Sequence, residues 1–277
     1  MYIFSIIAKI WRIWPKGFMA SLIYSFIFTC LGLLLAYIHP IFLPLISVIT
    51  IYPVYLFYII SQRFKNALKL ILSWAFILSI TVILFSYYMP EYASKIIING
   101  EKYRNEMFLW IKTGEGAEGD YKLFLIPKIK ELILFSFLAF ITMGFAALLL
   151  GAYLLNYMNY YVGVLLLYSK NNLTSLIFVA LFSWPIYAIL RVIGYIGLGI
   201  SLTYLSYALL IKLFMRKTSS LLHIFMKNIF GRTFFNISKI KNILLFSLIL
   251  IVLDFILKAT IANAIYQPIL HQNTIIP

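Results

Sequence analysis

Residues 90–131 read PEYASKIIINGEKYRNEMFLWIKTGEGAEGDYKLFLIPKIKE, the one substantial stretch of this chain polar enough to live in water. Seven of the eight acidic residues lie in it (Glu91, Glu101, Glu106, Glu115, Glu118, Asp120 and Glu131), matched by seven lysines and arginines. The sequence on either side is too apolar for a water-soluble domain, so the stretch divides the chain into a front block, 18–89, and a rear block, 132–261.

The composition supports that division. Of 277 residues, 64% are hydrophobic and 11% charged, with a mean hydropathy of +0.99. A soluble globule needs about a quarter of its residues charged. Only a bilayer accommodates so much apolar surface, and the expected fold is an all-α polytopic bundle of about seven transmembrane helices with two interfacial amphipathic helices. The net charge of +15 does not indicate nucleic acid, because the cations sit between hydrophobic runs as in cytoplasmic loops. The single cysteine, Cys30, allows no internal disulfide.

Hydropathy and turn residues give the expected spans. The front block holds 18–38, 41–60 and 70–88, with a kink at Pro53, which removes a backbone donor inside the second span. The rear block holds 132–155, 172–190, 193–214 and 242–261, with Arg191 as the hinge between its second and third spans. Between 156 and 171 the apolar run is too short to cross, which predicts an interfacial or re-entrant segment. Residues 1–17 carry Lys9, Arg12 and Lys16 on one helical face, and 216–241 carries six cations without an acid, including Lys227, Arg232, Lys239 and Lys241. Both suit the surface of a membrane rich in anionic headgroups. Residues 262–277 are a polar tail.

Unpaired cations mark the cytoplasmic side. They place the N-terminus, 63–69, Lys170 and 212–241 inside the cell, and 90–131, Arg191 and the tail outside, in a plasma or inner membrane.

Few residues suggest chemistry. Gly114, Gly116 and Gly119 match GxGxxG, but no buried strand feeds them into a helix, so they read as a flexible turn. Glu115, Glu118 and Asp120 lack the spacing of a calcium loop. The three histidines are scattered, so no metal site or cofactor is expected. Asp254 is the one acid outside 90–131 and falls inside a span, where a carboxylate is expensive. Lys258 at i+4 is its nearest partner in sequence, and Arg191, drawn inward, is a second. Asn156 and Asn159, one turn apart among tyrosines, form a candidate polar contact at the cytoplasmic end of the fourth span. Ridges at Gly144, Ala147 and Gly151, and at Gly194, Gly197 and Ser201, suit close helix packing.

Two classes of function fit. A transporter or permease component would use Pro53, Asp254, Arg191, Asn156 and Asn159 as a solute or ion pathway. A non-catalytic accessory subunit would instead offer its outer segment or basic ends to a partner protein or to anionic lipid. An intramembrane enzyme is a distant third, for lack of polar catalytic groups.

Overall fold

The computed structural model describes residues 18–217 and 237–277. The expected helix at 1–17, with Lys9, Arg12 and Lys16, lies outside the described residues, as does most of the basic segment with Lys227 and Arg232; the side chain of Lys239 is likewise undescribed. Among the described residues every regular element is a helix, and the sole β-type pairing is an isolated bridge between Ser169 and Thr274.

Three helices form the front block: α1 (Phe18–Leu35), α2 (Phe42–Ile60) and α3 (Phe64–Tyr88). The turn before α2 contains His39–Pro40, and the imidazole Nδ1 accepts the Ile41 N–H at 3.3 Å. Pro44 sits in the first turn of α2, where a missing N–H costs no helical bond, and Pro53 lies within the helix, which runs unbroken to Ile60. Leu78, Val82 and Ile59 are fully buried between these helices.

The segment 90–131, expected as a polar loop, is instead folded. It comprises α4 (Pro90–Ile96), α5 (Gly100–Thr113) and the first half of α6 (Tyr121–Ile141). Helix α5 turns Met107, Phe108, Trp110 and Ile111 inward and keeps its charges outside, so an amphipathic helix caps this end of the bundle. Gly114 closes α5 with φ +74°, the left-handed conformation in which glycine carries no Cβ penalty. The Asp120 side chain then accepts the Lys122 N–H and caps α6.

Two expected span boundaries move. The fourth span, 132–155, is broken at residues 142–144: α6 ends at Ile141 and α7 (Phe145–Leu167) turns back towards the cap. Met143 and Gly144 both have positive φ, and a Cβ on Gly144 would collide with the Thr203 hydroxyl. The Tyr52 hydroxyl donates to the Met143 carbonyl at 3.3 Å, giving a partner to a group that the broken helix would strand. Residues 156–167, expected to be interfacial, are thus the continuation of α7.

The second correction concerns Arg191. The chain breaks before it, at Ser183, Trp184 and Pro185, giving a short α8 (Leu173–Phe182) and a long α9 (Ile186–Lys217) that contains Arg191 in its second turn. The residue before a proline is held out of the helical region, which fixes the break there. Ten residues span about 15 Å, half a bilayer core.

Helix α10 (Ile237–Ile261) continues through a π-helical turn, Ala262–Tyr266, into α11 (Gln267–Asn273). The expected tail is therefore ordered, and it docks on the cap: Trp110 Nε1 donates to Asn263 Oδ1 at 2.7 Å, and Gln267 Nε2 donates to the Ile111 carbonyl at 2.7 Å. Its end pairs with residues 168–170, the Lys170 N–H donating to the Asn273 carbonyl at 3.0 Å. Lys170 thus lies beside the tail, not on the opposite side as the cation distribution suggested.

By length and hydropathy five segments are able to cross a membrane: Phe42–Ile60, Phe64–Tyr88, Phe145–Leu167, Leu173–Ile211 and Ile240–Asn273. Their outward faces carry large apolar side chains such as Phe76, Leu84, Leu245, Phe246 and Val252, each at least half exposed. Helices α9 and α10 form the closest pair, because Gly194 and Gly197 let the backbone of α9 approach Ser247 and Ile251.

Candidate functional site

Beneath the cap, four elements bring five charged side chains into one buried cluster. Asp254 of α10, 1% exposed, accepts a fork from Arg191 of α9: Nε to Oδ2 at 3.0 Å and Nη2 to Oδ1 at 3.3 Å. Lys128 of α6 also reaches Asp254, with its ammonium 3.1 Å from Oδ2. One turn further along α10, Lys258 donates to Glu118 of the α5–α6 connection at 2.7 Å, and the Tyr187 hydroxyl donates to the other Glu118 oxygen at 2.8 Å.

The sequence-neighbour pair expected between Asp254 and Lys258 is not formed. Each takes a partner from another element, because i and i+4 on α10 face different neighbours, α9 and α6 for Asp254 and the cap connection for Lys258. The inward Arg191–Asp254 pairing is present. Phe124 lies under both lysine ammoniums, at 5.4 Å from Lys128 and 4.7 Å from Lys258, adding cation–π contacts where water is excluded.

Glu118 lies outside the membrane-crossing helices, and its titration reports on the cluster. Burial alone would raise its carboxyl; the charges of Lys258, Lys128 and Arg191 and the Lys258 hydrogen bond outweigh burial and bring it down to about 2. Hydrogen-bonded charges of opposite sign, drawn from α6, α9, α10 and the cap, clamp the cap to the bundle.

Below the clamp, α2, α3, α6, α7 and α9 line a partly open cavity of about 80 Å³, walled mainly by apolar side chains. A single water needs roughly 10–15 Å³. Its α7 wall runs from Gly144 to Met158, about 21 Å of helix. Glu131, Tyr157, Arg191 and Tyr195 lie in its lining. A Cβ on Gly151 would meet nothing within 4 Å, so this glycine opens onto the cavity and does not serve as a close-packing ridge. A second cavity, of about 10 Å³, lies across Met158, Ala188 and Arg191 and contains Glu118, Tyr161 and Trp184.

The remaining expected pathway residues do not converge here. Asn156 and Asn159 are buried in α7, 3% and 0% exposed, but Asn156 faces Pro40, Leu43 and Ile97 in a separate small cavity. Because α7 runs towards the cap, the pair lies on the cap side, opposite to the expected cytoplasmic end. Pro53 lines neither cavity.

Sequence reading missed Lys128, Glu131 and Tyr187, and weighed Glu118 only as a cation ligand. Lys128 was discoverable: it shares a helical face with Phe124, Phe135 and Ala139, all buried. Glu118 was not, since nothing local marks an acidic residue in a glycine-rich turn as the partner of Lys258, which lies 140 residues away.

Compared with family models, curated proteins and solved structures, the chain shows no match. What fold and site define is a class: a protein whose described residues form only helices, five segments of them long and apolar enough to cross a membrane, with a buried charge clamp under a helical cap.

Proposed function

We propose that this chain is a multi-pass membrane protein that binds an amphipathic solute in the cavity beneath its cap and acts as a transporter or permease component. The supporting observation is the cavity itself: an apolar space among five helices, with Glu131 and Arg191 in its wall. Such a shape, mostly apolar with a few convergent polar groups, is that of a ligand site.

In this proposal seven helices cross, namely α1, α2, α3, α6, α7, α9 and α10. Helix α6 crosses although its first half carries Lys122, Lys128, Lys130 and Glu131, because Lys128 is neutralised within the bundle. The cytoplasmic side is the end opposite the cap, where Arg63, Lys65, Lys69 and Lys241 are exposed and face anionic headgroups. In this count one expected span divides into two helices, while two others reduce to α8 and a single long helix.

Cysteines placed singly at Glu115 and Lys241, in a Cys30→Ser background, label from opposite faces of intact cells; labelling of both from outside overturns the orientation. For the cavity, Gly151→Leu in full-length protein leaves folding intact and reproduces the phenotype that a deletion strain shows. A well-expressed Gly151→Leu protein with full activity favours an accessory role through the cap or the basic ends.

A further inference from the structure

We infer that the cavity below the clamp takes a zwitterionic single-chain amphiphile, its cationic group at Glu131, its anionic group at Arg191 and its chain along Gly151. This rests on the cavity being a ligand site and adds the chemistry of the ligand.

Charge complementarity is the first support. Glu131 and Arg191 line the cavity, and behind Arg191 stand the clamp charges Asp254, Lys128, Lys258 and Glu118, three cations and three carboxylates in all. The set is neutral. A ligand of net charge would leave one uncompensated charge in a buried site, which costs several kcal/mol per ion. A ligand carrying both signs preserves the balance.

The second support is which groups remain available. Asp254 is bound by Arg191 and Lys128, and Glu118 by Lys258 and Tyr187. Glu131 has no cation within ion-pair distance among the described residues. Arg191 uses Nε and Nη2 on Asp254, while Nη1 carries no hydrogen bond among the described residues. One carboxylate and one guanidinium nitrogen thus border the same space. Tyr157 and Tyr195 line it beside them, the Tyr195 ring stacked on Phe135.

The third support is the length and character of the space. From the polar head the lining continues past Trp74 and Gly151 to Gly144, with no further charged side chain. Trp74 is 3% exposed and its Nε1 has no hydrogen-bond partner among the described residues, so its ring serves as apolar wall. A flexible hydrocarbon chain fits such a space.

The test uses full-length protein in maltoside micelles and three chain-brominated probes of equal length: an alkylphosphocholine, an alkyltrimethylammonium and an alkyl carboxylate. Bromine quenches tryptophan on contact, and the Trp74 contribution is the signal lost in Trp74→Phe. The phosphocholine probe quenches Trp74 saturably and binds about tenfold or more tighter than either singly charged probe, a difference of about 1.4 kcal/mol. Glu131→Gln removes that preference, and Gly151→Leu removes the quenching. Free phosphocholine without a chain does not compete; displacement at equal concentration would make the ligand a soluble zwitterion and overturn the amphiphile. Equal quenching by all three probes, or a preference unchanged in Glu131→Gln, overturns the head-group inference while the cavity stands. No Trp74 quenching by any probe overturns both.

Discussion

Replacing Lys258 tests whether the cap is clamped as the geometry indicates. Its ammonium lies 2.7 Å from Glu118, and the two side chains are 4% and 12% exposed. At an effective dielectric of about 20, charges 2.7 Å apart attract by about 6 kcal/mol. Desolvation of each ion offsets several kcal/mol of this, so the intact pair contributes little net stability while either ion alone is strongly unfavourable. Lys258→Met therefore costs about 3–5 kcal/mol by stranding the Glu118 carboxylate, and Glu118→Gln costs a similar amount by stranding the ammonium. The double variant costs much less than the sum, with a coupling energy of about 2–3 kcal/mol. Unfolding in mixed dodecyl sulfate and maltoside micelles, followed by circular dichroism, measures all four proteins. A parallel cycle with Asp254→Asn and Lys258→Met should show the smaller coupling, since these two do not pair. Additivity of Glu118→Gln and Lys258→Met within about 0.5 kcal/mol, or a larger coupling for the Asp254 cycle, refutes the clamp.

Three other outcomes follow from the same geometry. The Glu118 carboxyl is held at about 2 against an ordinary 4.5, so its contribution, about 3 kcal/mol, is complete above pH 4.5 and is lost as pH falls towards 2; the acid-unfolding step between these values should disappear in Glu118→Gln. Gly197→Val should destabilise the bundle by forcing α9 from Ser247, whereas Gly151→Val, which meets open space, should stay within about 0.5 kcal/mol of the parent in the same unfolding assay. Trp110→Phe deletes the donor to Asn263 and should loosen the docking of 262–273, read as faster amide exchange there with α3 unchanged.

The sequence by itself determined the class. Apolar runs of membrane length depend only on local composition, so α2, α3 and most of α10 were legible within a few residues. The polarity of 90–131 was legible too, because charge density is local, but its upper boundary was not, since α6 runs through 131 from Tyr121 to Ile141. What was not legible lay where an apolar chain turns without a polar signal: residues 142–144 read as the middle of a span, and only Gly144 marks the reversal that Thr203 and Tyr52 stabilise from other helices. Asp254 stood out because a carboxylate within a span is expensive wherever it packs. Its partners did not stand out, since the favoured i+4 neighbour on α10 loses to Arg191 and Lys128, and Lys258 turns to a residue in the cap. Pairing in a bundle depends on which helix faces which, and long-range contact alone decides that. The cavity is likewise a product of tertiary structure, since Gly151 belongs to a small-residue ridge in sequence and borders an open space only because α3, α6 and α9 do not close against it.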